Sequence, residues 1–165
     1  MTRRVAYLNA RLIDPASGLD APGGLLTSDG KIEALGARLF AAGAPEDAER
    51  IDCGGAVLAP GLIDIRVHLC EPGEEHKEDI SSASQAAVAG GITSIVALPD
   101  THPPIDDVAL VEFIARRARE AKLVKVYCHA AVTRGLAGTE ITEIGLLKEA
   151  GVLAFTDGRR AVASA

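Results

Sequence analysis

Three polar side chains at alternate positions in one short segment could do chemistry together. Arg66, His68 and Cys70 alternate with apolar residues in the segment APGLIDIRVHLCEPG, which runs from position 59 to 73. An imidazole can ligate a metal ion, a guanidinium supplies fixed positive charge, and a thiol is a soft metal ligand. Because successive side chains of a strand point to opposite faces, these three would share one face. We therefore expect an inner barrel strand whose C-terminal end opens into a site.

The turns around this strand make the pattern specific. Pro60-Gly61 precedes the strand and Glu71-Pro72-Gly73 follows it. The segment resembles the first barrel strand of the amidohydrolase superfamily, and its Glu-Pro-Gly ending resembles the dihydroorotase branch. In that family the inner face carries a His-x-His pair that binds zinc, followed by an arginine that binds substrate. The resemblance implies that His68 is a retained metal ligand, that Arg66 replaces the other histidine, and that Cys70 replaces the arginine.

Two later segments carry the same resemblance. The sequence GGITSIVALPD, which ends at Asp100, is similar to the family's second strand and its loop, where an asparagine helps to hold the substrate carboxylate. The sequence AFTDG, which contains Asp157, is similar to the fourth strand, where some members use an aspartate in the site. The similarity begins near Val5 and implies shared ancestry and fold. By resemblance, Asp157 is a second metal position and Asp100 a substituted substrate-binding position.

The first 57 residues predict short strands and a separate domain. The strand candidates are Val5–Leu8, Arg11–Ile13, Leu25–Thr27 and Ile32–Leu35. Asp29-Gly30 is a hairpin-turn signal between the last two, and residues 43–49 are small and polar, as in a loop. Family members build a small β-sandwich from this region together with distant C-terminal residues. The resemblance therefore implies that residues 1–57 form part of such a sandwich.

Residues 58–165 predict alternating strands and helices, and hence an α/β fold. The strand candidates are residues 62–68, 93–98, 125–129 and 152–156, and the helix candidates are residues 77–89, 108–122 and 139–150. Asp106 or Asp107 is the expected N-cap of the second helix, which has an apolar stripe. A repeating βα unit is typical of a parallel sheet. With the resemblance, this indicates the first four units of an amidohydrolase (β/α)₈ TIM barrel.

The chain is too short to form a complete barrel of this type. A complete barrel of this type takes about 250 residues, whereas the chain has 165. We therefore expect a fragment of a longer protein, in which the barrel is incomplete. An open parallel edge exposes unpaired backbone groups and invites pairing with another chain. The sequence thus predicts self-association or a longer parent chain.

The metal chemistry of the family is expected to be weakened here. A catalytic zinc site needs about three protein ligands and an open position, and the chain offers His68 and, by resemblance, Asp157. A guanidinium at Arg66 would take the place of the metal and supply positive charge for Asp157. It cannot lower the pKa of a bound water as a Lewis acid does. We expect zinc, the cofactor of the family, to be absent or substoichiometric, and we assign no catalytic residue.

Substrate recognition also departs from the family pattern. The family's substrate, dihydroorotate or carbamoyl-aspartate, is an anion. A thiol at Cys70 removes a bidentate donor, and a carboxylate at Asp100 adds repulsion. Cys70 could instead be a soft metal ligand beside His68, although a small buried thiol is the commoner role. A neutral cyclic amide, as in allantoinases and hydantoinases, would avoid the repulsion. His102 and His129 are weaker site candidates, at a loop and a strand end.

Composition limits the partners and the location of the protein. The net charge is −6, and no Lys/Arg cluster is present, which argues against nucleic acid and anionic membranes as partners. Residues 81–99 lack charge, but they contain four serines and a Gly-Gly break, which predicts a helix, a turn and a buried strand. No signal peptide is evident. Three widely spaced cysteines without a C-x-x-C motif indicate reduced thiols in a cytoplasmic protein.

Two functional hypotheses follow from these residues. The first is a metal-dependent dihydroorotase that closes carbamoyl-aspartate in pyrimidine biosynthesis, active in its full-length form. The second is a catalytically impaired homologue that acts as a structural partner, as some dihydroorotase-like subunits do for aspartate carbamoyltransferase. The residues at Arg66, Cys70 and Asp100 favour the second hypothesis.

Overall fold

The computed structural model describes residues 3–162 and divides the chain into two compact units, Met1–Pro60 and Gly61–Ala165. The first unit is built on one five-stranded sheet. Its strands are β1 (Arg4–Asp14), β2 (Leu19–Ser28), β3 (Lys31–Gly36), β4 (Ala48–Asp52) and β5 (Val57–Leu58). Strands β3, β2 and β1 are antiparallel neighbours, and β4 and β5 both pair with β1 in parallel.

Local chemistry sets the register of this first sheet. Asp29 and Gly30 turn between β2 and β3 with φ of 49° and 76°, which matches the left-handed hairpin turn that the sequence predicts. The two strand candidates at the N-terminus form one strand, β1, which is bulged at Asn9 (φ 53°). The predicted loop at residues 43–49 ends early, because β4 begins at Ala48. The partial β-sandwich stays a prediction.

The second unit has a parallel three-stranded sheet with helices between its strands. Its elements are β6 (Leu62–Val67), α1 (Ile80–Ala89), β7 (Ile92–Ala97), α2 (Val108–Ala121), β8 (Lys125–Cys128), a 3₁₀ turn (Arg134–Leu136) and α3 (Ile144–Glu149). The sheet order is β6-β7-β8, so each strand lies beside the next one along the chain. The helix, Gly-Gly turn and strand predicted for residues 81–99 are confirmed by α1 and β7.

Capping side chains set where the helices begin. Asp79 accepts from the backbone N–H of Ser82 and forms a capping box with it, so α1 begins three residues after the predicted start. Asp107, one of the two expected caps, accepts from the backbone N–H of Ala109 at 2.7 Å. Helix α3 is shorter than predicted, because Thr142 donates to the carbonyl of Ala131 instead of continuing a helix.

The predicted fourth strand at residues 152–156 is only partly formed. Two backbone hydrogen bonds hold this segment beside the end of β8 and the residues that follow it. The N–H of Leu153 donates to the carbonyl of Cys128 (3.1 Å), and the N–H of Ala130 donates to the carbonyl of Ala154 (3.0 Å). A single parallel bridge joins Ala130 to Phe155. The segment thus follows the sheet without a continuous ladder. Residues 163–165, the end of the predicted second domain, lie outside the described residues.

A buried core between the parallel sheet and its helices holds the second unit together. Leu69, Ile95, Ile114 and Leu147 are at most 1% exposed. The carboxylate of Glu71, 3% exposed, accepts from the backbone N–H of Ile80 at 2.8 Å and from the guanidinium of Arg117. Because Glu71 follows β6, this carboxylate ties the loop after β6 to the first turn of α1 and to α2.

Within residues 3–162, no helix is both long and apolar enough to cross a membrane.

Candidate functional site

An open cleft of about 530 Å³ lies in the second unit, where the loops after β6, β7 and the segment at residues 152–156 meet. Its ionisable lining comprises His68, Cys70, Glu74, Lys77, Asp100, His102, Asp157, Arg159 and Arg160. Four of the five residues that the resemblance marks as metal or substrate positions, all but Arg66, therefore line this cleft. A larger groove of about 840 Å³ crosses the first unit, and none of the predicted site residues lines it.

His68 is hydrogen-bonded at both ring nitrogens. Its Nδ1 lies 2.9 Å from Oδ2 of Asp100, and its Nε2 lies 3.1 Å from Nη2 of Arg159. A guanidinium can only donate, so Nε2 must accept, and the ring proton then sits on Nδ1 and points to Asp100. In this arrangement the imidazole is neutral, and the lone pair with which Nε2 could ligate a metal is engaged.

Asp157 is buried and accepts three hydrogen bonds from the loop after β8. It is 5% exposed, and its Oδ1 accepts from the N–H groups of Val132 (2.8 Å) and Thr133 (3.0 Å). Its Oδ2 accepts from Oγ1 of Thr133 at 2.5 Å. The aspartate therefore fastens the loop to the segment at residues 152–156.

Arg66 does not take the place that the alternating pattern assigns to it. The expectation that its guanidinium supplies charge to Asp157 is wrong, because Asp157 is bonded to Val132 and Thr133 instead. Arg66 is exposed and is not part of the cleft lining. The predicted alternation breaks down at Arg66, because the pairing of β6 shifts register between Asp64 and Val67 and the backbone N–H of Arg66 donates to Oδ1 of Asp64 at 2.9 Å.

Cys70 lines the cleft as a half-buried thiol. Burial raises its pKa, and the nearby carboxylate of Glu74 raises the pKa further. The thiol is therefore protonated at neutral pH, and it offers neither a thiolate ligand nor a cation. Glu74 itself is paired with Lys77. His129 lies outside this lining, and desolvation lowers its pKa.

The residues of the cleft do not fit a resident metal ion. Among residues 3–162, no three His, Cys, Asp or Glu side chains come together in a way that could hold one. Of the two expected ligands, His68 has its Nε2 engaged by Arg159, and Asp157 accepts three hydrogen bonds from Val132 and Thr133. A metal at His68 would have to displace Arg159.

Sequence reasoning missed the two arginines after the last family motif. Arg159 and Arg160 follow Asp157-Gly158 directly and line the cleft. The motif itself held a usable signal, because residues just after the C-terminal end of a barrel strand commonly face the site. The run Arg159-Arg160 carried two adjacent positive charges at that place.

Comparison with known proteins shows which family the chain belongs to. A family model described as dihydro-orotase-like matches residues 55–165. The dihydroorotase of Wolbachia sp. subsp. Brugia malayi is 48% identical over 155 residues, which cover 93% of this chain and 34% of that protein. The dihydroorotase of Pelobacter propionicus is 46% identical over 157 residues, which cover 95% and 36%. The chain thus spans about a third of the length of the curated relatives it matches.

Solved structures agree with the fold. The L-hydantoinase of Arthrobacter aurescens has a TM-score of 0.73 and 26% identity over 94% of this chain and 32% of its own. A crystal structure of a dihydroorotase has a TM-score of 0.58 and 17% identity, over 92% of this chain and 41% of its own. The second likeness shows the fold alone.

The role of Asp157 in stability can be measured directly. Asp157→Ala leaves the N–H groups of Val132 and Thr133 and the Thr133 hydroxyl without their acceptor. Each unsatisfied buried donor costs about 1–3 kcal/mol, so we expect at least that loss in the free energy of unfolding by urea. The control, Asp100→Ala, removes a carboxylate that is 30% exposed and should change stability by about 0.5 kcal/mol or less. Equal losses for the two variants would contradict a structural role for Asp157.

Proposed function

This chain belongs to the dihydro-orotase-like family, and we propose that it is a catalytically impaired member that keeps the family's ligand-binding cleft and serves as a structural homologue. One observation carries the proposal. The Nε2 atom of His68 accepts a hydrogen bond from Arg159, and the carboxylate of Asp157 accepts three hydrogen bonds from the loop after β8. The two side chains at the family's metal positions therefore form hydrogen bonds within the protein.

The chemistry of the family explains why this matters. Closing or opening a cyclic amide needs a polarised carbonyl and an activated water, and a bound zinc would supply both. The described residues offer no replacement for it. His68 has no lone pair available to accept a proton while Arg159 is in place, and the protonated thiol of Cys70 is no base.

We also propose partners and a cellular setting for this homologue. Strand β6 is an edge strand, and its residues Leu62, Ile63 and Ile65 are 62%, 66% and 65% exposed. Such an apolar edge favours pairing with a second copy or with another polypeptide. Aspartate carbamoyltransferase is the proposed partner, by analogy with the non-catalytic subunits that the sequence resembles. The protein would then act in cytoplasmic pyrimidine biosynthesis.

A second candidate is a hydrolase of a neutral cyclic amide. The 26% identity to the L-hydantoinase of Arthrobacter aurescens supports it, as does the absence of a cation at Cys70. An active, zinc-dependent dihydroorotase in a longer protein is a third candidate, in which residues outside this chain would complete the metal site. Both alternatives require Arg159 to leave His68 before a metal could bind.

Turnover separates these candidates. We expect no measurable conversion of carbamoyl-aspartate, dihydroorotate or hydantoin by the purified chain in the presence of zinc, and well under one zinc per chain in the same sample. The variant Arg66→His should also be inactive, because Cys70 and Asp100 still lack the family's substrate contacts. Arg119→His, on the surface of α2, is the matched control. Activity of the parent chain, or rescue by Arg66→His alone, would contradict the proposal.

Assembly is tested by placing a charge on the exposed edge. We expect the chain, with its mass confirmed, to self-associate in sedimentation velocity, and Ile65→Lys to shift it towards the monomer because a charged edge resists pairing. Val88→Lys, at a residue 49% exposed on helix α1, is the control and should leave the distribution unchanged. A parent chain that is monomeric and unfolds cooperatively would overturn the proposed self-association.

A further inference from the structure

The loop after β8 contributes a short turn, residues 135–137, to the lining of the cleft. We propose that this cleft turn is a conformational latch, which Asp106 and Arg160 hold shut and which opens while the base of the loop stays fixed at Asp157. Opening would widen the cleft without unfolding the second unit. This inference goes beyond the proposed function, because it holds for a silent chain as well as for an active one.

The backbone of the cleft turn has a conformation that side chains disfavour. Gly135 and Leu136 are consecutive left-handed residues, with φ of 60° and 57°. Glycine enters this region freely, but the Cβ atom of a leucine crowds the following carbonyl there. Such outliers persist only where the surrounding structure holds them, and they cluster at switch segments. The closed position of the turn therefore depends on contacts from outside it.

Two hydrogen bonds from neighbouring segments hold the cleft turn closed. The N–H of Gly135 donates to Oδ2 of Asp106, in the loop after β7, at 2.7 Å. The carbonyl of Leu136 accepts from Nη1 of Arg160 at 3.1 Å. Asp106 is half-buried and Arg160 is exposed, so water can replace either partner when the turn leaves. Opening also exposes the side chain of Leu136, now 9% exposed, and relaxes its backbone. These two effects oppose each other, which keeps both positions within reach.

The base of the same loop has the opposite character. Thr133 is 0% exposed, and its N–H and hydroxyl both donate to Asp157. Its Oγ1 accepts from the N–H of Gly138 at 2.8 Å. Thr142, 4% exposed, donates through its N–H to the carbonyl of Val132 at 3.0 Å. Moving these residues would leave buried polar groups unpaired, which is costly. The loop is thus fixed on both sides of the cleft turn, and the movement is confined to the turn.

Opening of the cleft turn changes what solvent can reach. Gly135 and Leu136 line the cleft together with His68, Cys70 and Arg160. When the turn leaves, the cleft loses part of its wall, and Arg160 loses the carbonyl to which it donates. The cleft therefore has a closed form, which the structure shows, and a wider form in which a reagent reaches the half-buried thiol of Cys70 more easily.

Amide hydrogen exchange of the full chain, followed by NMR, tests the latch. We expect the N–H groups of the cleft turn to exchange through a local opening, at least about tenfold faster than that of Thr133. Gly135→Ala should speed exchange at Leu136 by about a further tenfold, because a Cβ atom disfavours the left-handed backbone although it meets no atom within 4 Å. Gly145→Ala in α3 is the matched control, since a Cβ atom there also meets no atom and the backbone is not left-handed.

Two further measurements separate the latch from a general loss of stability. Asp106→Ala removes the acceptor of Gly135 and should also speed exchange in the cleft turn, whereas Asp106→Asn keeps an oxygen and should have a smaller effect. Alkylation by iodoacetamide, read by peptide mass spectrometry, should become faster at Cys70 in Gly135→Ala. Cys53, in the first unit, is the internal control and should react at an unchanged rate.

Each outcome decides for or against the latch. The inference is overturned if the cleft turn exchanges no faster than Thr133 in the parent chain, or if Gly135→Ala has no larger effect than Gly145→Ala. It is also overturned if Gly135→Ala and Asp106→Ala speed exchange at Thr133 as much as in the turn, which would indicate general destabilisation. A turn that opens while the alkylation rate of Cys70 stays the same would refute its effect on the cleft. The proposed function is judged separately, by turnover.

Discussion

The imidazole of His68 lies between the carboxylate of Asp100 and the guanidinium of Arg159. The availability of His68 as a ligand and the positions of the loops around the cleft depend on these two contacts. Asp100 fixes the proton on Nδ1, and Arg159 occupies the lone pair of Nε2. The ring of His68 therefore separates Asp100 from Arg159 and orients the guanidinium, and its Nε2 atom is not available to a metal. Because the two partners come from the loop after β7 and from the chain after residue 156, the contact also draws both loops to the end of β6.

The surrounding scaffold makes this contact possible. Asp157 precedes Arg159 by two residues, and its bonds to Val132 and Thr133 fix the path of the chain into the cleft. On the other side, Glu71 anchors the loop after β6 to the N–H of Ile80 and to Arg117. The buried carboxylates of Asp157 and Glu71 thus hold two loops in place, and these loops position the side chains that face the cleft.

The sequence predicted the parallel order of β6, β7 and β8, because apolar runs and Gly punctuation are local signals. The family resemblance marked His68, Cys70, Asp100 and Asp157 as site positions, and these four residues line one cleft. The sequence was wrong about Arg66, since strict alternation cannot anticipate the register shift of β6 between Asp64 and Val67. It missed Arg159, because a contact over 91 residues depends on how two loops pack. Helix α3 was predicted too long, since the bonds of Thr142 are tertiary.

The contact at His68 also decides what this side chain can bind. The same position can hold a metal or a guanidinium, but not both, because each uses the lone pair of Nε2. The most direct measurement is the nitrogen-15 long-range NMR spectrum of the histidine rings, with His68 assigned by its loss in His68→Gln. The account predicts the Nδ1–H tautomer for His68, with nitrogen shifts that do not change when one equivalent of zinc is added. An Nε2–H tautomer, or a zinc-induced shift of Nε2, would contradict it.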